Sequence, residues 1–133
     1  MSGSALHDIP GGEALFDWFG RVPRFHDAKL LEIIFSGKGS GLLRIHAWNM
    51  TNKVDARGHF VLDKHVVVTL ALEGVNVISC TSFDMVPAII FDLEIASLDQ
   101  GFRLEWSASY GVSGSISAKE VRITLEPGEP SQS

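Results

Sequence analysis

From Lys29 to Leu125 apolar residues recur at every second position, run after run, a spacing that suits strands with one buried and one wet face. In Lys29–Phe35, Leu31, Ile33 and Phe35 share a face. In the next run Leu43, Ile45 and Ala47 do so, with Arg44, His46 and Trp48 opposite. The glycine-rich segment Gly37 to Gly41 reads as a hairpin connection, and Asn49 to Gly58 as a polar loop. His65 to Glu73 is a strand with Val66, Val68, Leu70 and Leu72 inward, and Gly74 turns it into Val75–Cys80. Ser82 to Ile89 is ambiguous: Ser82 can cap a helical turn, but Pro87 limits it.

The last third reads as an antiparallel meander of Ile90–Ala96, Phe102–Ser109 and Ser115–Leu125. Its inward residues are Phe91, Leu93 and Ile95, then Phe102, Leu104 and Trp106, then Ile116 with Val121, Ile123 and Leu125. Ile116 is even and the residues after it are odd, so a bulge near Ala118-Lys119 is expected to restore the face. For the first two of these strands, a four-residue loop over Ser97–Gln100 sets Glu94 against Arg103 and Phe91 against Trp106, both favourable pairs. A two-residue loop at Asp99-Gln100 sets Glu94 against Glu105 instead. The first register is expected; the second would force two carboxylates together, an arrangement suited to acid–base work.

One helix precedes the strands. Ala14, Leu15, Trp18 and Phe19 form a stripe at helical spacing within Glu13–Phe19, Gly20 can cap its C-terminus, and Pro23 forbids continuation. The fold expected is α+β: one domain over 1–133, a twisted, mostly antiparallel sheet of about seven strands with one short N-terminal helix packed on it. Residues 13–125 are folded in this reading, 1–12 form a loose N-terminal segment, and 126–133, rich in Pro, Gly and Ser, form a disordered tail.

A length of 133 residues with 45% hydrophobic and 20% charged residues suits one ordinary globular core. The net charge of −5 argues against nucleic acid as partner, because phosphate binding needs a basic surface, and it accommodates a basic protein partner. With Cys80 alone there is no internal disulfide and no cysteine zinc site; its expected role is a small buried hydrophobe. No basic leader precedes an apolar run, and the longest apolar stretch, Val66 to Leu72, is too short to span a bilayer, so a cytoplasmic protein is expected.

Few residues offer chemistry. His26-Asp27 has the composition of a catalytic dyad, but adjacent strand residues point to opposite faces, so His26 would need Asp17 or a sheet carboxylate as partner. The structural alternative has Asp27 accepting backbone N–H bonds at the turn. His7, His46, His59 and His65 lack the spacings of a legible metal site, the one alternative being a set of His26, His46 and His65 assembled across strands, and no cofactor is expected. The serines at 107, 109, 113 and 115 lack a nucleophile-elbow context. Gly37-Lys38-Gly39-Ser40-Gly41 leads into a strand and is not a phosphate loop. Trp48, Arg44 and His46, on one polar face, have the makings of a partner-binding anchor, unless a helix or loop covers them.

The block Trp18-Phe19-Gly20, Pro23, Phe25-His26-Asp27-Ala28, followed by Ile45-His46-Ala47-Trp48, resembles the bacterial immunity-protein family numbered fifty, from polymorphic toxin systems. The order downstream is similar too: Leu72-Glu73-Gly74-Val75, Phe83, then Ile90 to Ile95. The resemblance runs from about Phe16 to Leu125. It implies an α+β, cytoplasmic, non-enzymatic protein that binds and neutralises a cognate toxin by occlusion, with no catalytic residues. The alternative is a small enzyme or ligand-binding domain using His26 with sheet carboxylates. A third reading is a homo-oligomer built on an exposed sheet edge or face.

Overall fold

The computed structural model describes residues 4–20, 25–82 and 84–130; Pro23 and Phe83 therefore lie outside the described residues. Eight strands form one antiparallel sheet: β1 (Lys29–Phe35), β2 (Gly41–Val54), β3 (Phe60–Glu73), β4 (Val77–Thr81), β5 (Ala88–Leu98), β6 (Gly101–Tyr110), β7 (Ser113–Ala118) and β8 (Glu120–Pro127). Their order across the sheet is β4-β7-β6-β5-β1-β2-β3-β8. A 3₁₀ turn (Ser4–Asp8) and one helix, α1 (Gly12–Phe19), precede them. The described residues thus form a β-rich domain with a single helix and one strand more than expected.

The extra strand arises at the anticipated bulge. Only Lys119 separates β7 from β8, yet the two lie at opposite sides of the strand order. The ladder explains how. β3 pairs with β8 down to Glu73↔Glu120, and β4 pairs with β7 from Val77↔Ser117 onward. Four steps on one strand match three on the other, so β3–β4 and β7–β8 form one long antiparallel ribbon, bent at a bulge-like corner. The Lys119 amide clasps that corner by donating to the carbonyls of Glu73 and Gly74. The bend curls the sheet back on itself around one core.

That core is walled by alternate residues: Leu43, Ile45 and Ala47 of β2, Val66, Val68, Leu70 and Leu72 of β3, Leu104 and Trp106 of β6, and Val121 and Ile123 of β8. Two faces differ from the expected alternation. In β1 the register slips between Leu30 and Glu32, so fully buried Leu30, not Leu31, joins Ile33 and Phe35. In β5 it slips between Ile90 and Asp92, so Ile90 is buried and Phe91 is 57% exposed. Each bulge supplies the odd residue that changes face.

The β5–β6 turn also takes the register that was not expected: Leu98 pairs with Gly101, and Glu94 faces Glu105. This register sets Leu93 against Trp106 and Ile95 against Leu104 inside the core. It also brings Gly101, at φ +136, so close over the Ala118 carbonyl that a Cβ would collide with it. Repulsion between two exposed carboxylates costs only about 0.2–1 kcal/mol, and the Arg103 guanidinium lies 3.7 Å from Glu105. Core packing outweighs it.

The described segments 6–11 and 126–128 differ from what their composition suggests. Leu6 and Ile9, in the segment expected to be loose, are buried with Leu15 of α1, and the Ile123 amide of β8 donates to the Pro10 carbonyl. The N-terminal segment thereby covers the free edge of β8. At the other end Glu126 and Pro127 pair with Val67 and Val66, and the Gly128 amide donates to the His65 carbonyl. The expected tail over 126–133 therefore begins as strand. The polar stretch 49–58 is mostly hairpin: β2 runs to Val54, and Asp55 closes the turn by accepting the amides of Arg57 and His59. Among the described residues of the stretch 82–89 there is no helix, and β5 begins at Ala88.

Candidate functional site

The helix-to-strand motif is a structural joint. α1 ends at Gly20, whose left-handed conformation lets its amide donate to Phe16. The Trp18 indole donates to the Lys64 carbonyl at 2.9 Å, and Lys64 Nζ returns a bond to the Trp18 carbonyl. Helix and β3 are thus fastened together where Lys64 itself takes φ +54. His26 Nδ1 donates to the Phe91 carbonyl at 2.8 Å, holding the turn against the β5 bulge. Its other nitrogen lies 3.7 Å from Asp27, and both side chains are more than half exposed. Asp27 differs from the capping role expected of it. Its backbone, at φ +68, donates to the Ile90 carbonyl, while among the described residues its carboxylate nears only the His26 ring. Aspartate tolerates the left-handed region better than most residues, which accounts for it here. Among the described residues the polar partners of His26 are the Phe91 carbonyl and Asp27, with no bond to Asp17, Glu94 or Glu105.

On the outer face of β2 and β3 the expected trio is assembled only in part. His46 is 8% exposed, edge-on to Trp48 at 4.9 Å and 3.0 Å from His65 Nδ1 through its Nε2. One ring must donate and the other accept, so the pair survives only while at least one imidazole is neutral. Arg44 is turned away to Glu32 at 2.6 Å. Burial lowers the His46 pKa, the neighbouring His65 and Lys29 lower it further, and Glu129 opposes them. Of the cross-strand set His26, His46 and His65, the structure brings together only the last two: the β3 bulge next to Lys64 places His65 beside His46.

This cluster predicts a pH dependence with a definite sign. In the folded chain His46 resists protonation, whereas unfolded it titrates near the ordinary 6.5. As pH falls below 6.5 the unfolded state gains a proton that the folded state refuses, so stability declines until the lowered folded value is passed. Urea melts of the wild-type chain and His46→Gln over this range check it. The variant should lose that part of the slope, and parallel slopes would refute the assignment.

The outer face of β4, β7, β6 and β5 forms a shallow groove of about 490 Å³. Adjacent strands place one row across it: Glu94, Glu105, Ser115 and Ser79. Asp92 and Ser107 pair in the next row, where Ser113 and Thr81 also pair, so carboxylates line one side and hydroxyls the other. Beneath it the Trp106 indole, buried, donates to the Val112 carbonyl and ties β6 to the turn before β7. Local sequence patterns hide this face, because charge matching favours the register that separates the glutamates and the serines lack a nucleophile-elbow context. Their alternation, Ser113, Ser115 and Ser117 against inward Ile116, was the available signal.

Among the described residues no three His, Cys, Asp or Glu side chains are grouped to hold a metal ion, and burial pushes the Cys80 thiol pKa up, away from reactivity. No described helix is long and apolar enough to cross a membrane. No protein-family model, no curated protein and no solved structure matches the chain.

Proposed function

We propose that this chain is a non-enzymatic, immunity-type α+β protein of the cytoplasm that neutralises a cognate bacterial toxin by covering it, and that its contact surface is the acidic outer face of β5 and β6 with the hydroxyl strip of β7 and β4. The observation that carries the reading is the opposed pair Glu94 and Glu105 in an open groove, displayed by a sheet whose inner face is filled with side chains. A shallow, acidic and unenclosed surface suits a basic protein partner by charge complementarity, and the net charge of −5 agrees with it. Trp48 lies on a separate face, half-buried against two histidines, and Arg44 is already paired. Those two are a weaker anchor than the sequence suggested.

The test is affinity capture from the native host lysate with the wild-type chain, Glu94→Lys/Glu105→Lys and Trp48→Ala in parallel. A stoichiometric basic protein carrying a toxin domain should be held by the wild type and by Trp48→Ala. The charge-reversed variant, with unchanged melting, should lose it. Retention by the charge-reversed variant with loss by Trp48→Ala would move the surface to the histidine face. Retention by the wild type and both variants would overturn the acidic surface. One observation favours a second reading, a small enzyme: the register that opposes Glu94 and Glu105 is the one suited to acid–base chemistry. It differs from the first in that Glu94→Gln or Glu105→Gln would abolish a turnover while leaving toxin capture unaffected.

A further inference from the structure

We propose that the free edge of β4 pairs antiparallel with β4 of a second copy of this chain, giving a two-fold dimer with one sheet continuous through both copies. β4 is a terminal strand of the sheet; among the described residues its one strand partner is β7. Such an edge presents unpaired N–H and C=O groups, and proteins usually blunt it with charge, proline or a covering segment. At β8, the other terminal strand, the N-terminal segment provides that cover. At β4, Val77-Ile78-Ser79-Cys80-Thr81 contains neither charge nor proline, and Val77 and Ile78 are 54% and 46% exposed.

The segment is complementary to itself. A two-fold centred on Ser79 sets Ile78 against Cys80 of the other copy on the inner side, and Val77 against Thr81 on the outer side. The first pairing covers Ile78, which stands in the core row beside Ile116 yet remains half exposed at the edge. The second joins two β-branched residues, a favoured cross-strand pair. Charges agree at both ends: extending the pairing brings Asp84 of one copy toward the corner where the Lys119 side chain overlies Gly74. The acidic rows stay apart. With strands about 4.8 Å apart, the two Glu105 residues would be separated by about 24 Å, several Debye lengths at physiological salt. The two grooves would abut through Ser79 and Thr81, so dimerisation lengthens the face assigned above without blocking it.

Sedimentation equilibrium of the full chain over a wide concentration range tests the proposal, with Ile78→Lys as the disrupting variant. The wild type should dimerise, and Ile78→Lys, at an edge site already half open to water, should keep its melting transition while its association weakens at least about tenfold. A second arm fixes the register independently: in a Cys80→Ser background, Ser79→Cys should cross-link to a disulfide dimer under mild oxidation, whereas Val77→Cys should not. A wild-type chain that stays monomeric throughout overturns the proposal. So does a dimer indifferent to Ile78→Lys, or cross-linking by Val77→Cys as efficient as by Ser79→Cys.

Discussion

Leu30→Ala is expected to destabilise the folded chain by about 2–5 kcal/mol, the cost of a cavity at a fully buried leucine, whereas Leu31→Ala should cost about 1 kcal/mol. The two residues are neighbours of identical chemistry, so the contrast isolates the bulge in β1. Leu30 is inaccessible to solvent and lies opposite Ile45 in the ladder, while Leu31 falls at the register slip and is half-buried. Simple alternation from Ile33 and Phe35 predicts the opposite order of severity. Urea denaturation of both variants decides it, and a larger loss for Leu31→Ala would restore unbroken alternation. Ile90 and Phe91 form the same contrast in β5, with Ile90 1% and Phe91 57% exposed.

Gly11→Ala should be the most damaging small substitution, detaching the N-terminal segment from the sheet. Gly11 takes φ +89, and a Cβ there would overlap the Ile123 carbonyl oxygen on β8. The backbone cannot withdraw without breaking the neighbouring bond from the Ile123 amide to the Pro10 carbonyl. A strained left-handed residue alone costs about 1–3 kcal/mol, and losing the docked Leu6, Ile9 and Leu15 adds to it. Gly20 is the control. It is also left-handed, at φ +72, but nothing lies within 4 Å of a built Cβ, so Gly20→Ala should cost about 1 kcal/mol. Thermal melting of the two variants, with hydrogen exchange at the Ile123 amide, separates them. Equal losses would mean that the segment is not seated against β8.

The candidate site was legible only as fragments. Trp48 and His46 were rightly placed on one polar face, because side-chain direction follows from period-2 spacing within a strand. Whether His65 reaches His46 was left open by the sequence, because it depends on pairing between strands and on the bulge beside Lys64. Local charge matching favours the register that separates Glu94 from Glu105, whereas the fit of the hairpin end to the rest of the core favours the one that opposes them. Gly101, pressed on the Ala118 carbonyl at the distant corner, is a contact that no local rule could reveal.

By itself the sequence determined the local matters: α1 and its glycine stop, most strand centres, the inward rows of β2, β3, β6 and β8, and the need for an irregularity near Lys119. These follow from neighbours a few residues apart, where steric and amphipathic preferences act directly. Tertiary structure alone decided which strands pair, where Leu30 and Ile90 change face, how glutamate came to oppose glutamate, and that the segments 6–11 and 126–128 are bound to the sheet. Closing one core around a bent ribbon ranks those alternatives. Burial of large apolar side chains, at about 1.5–3 kcal/mol each, outweighs the few tenths at stake in an exposed charge pair or a polar terminus.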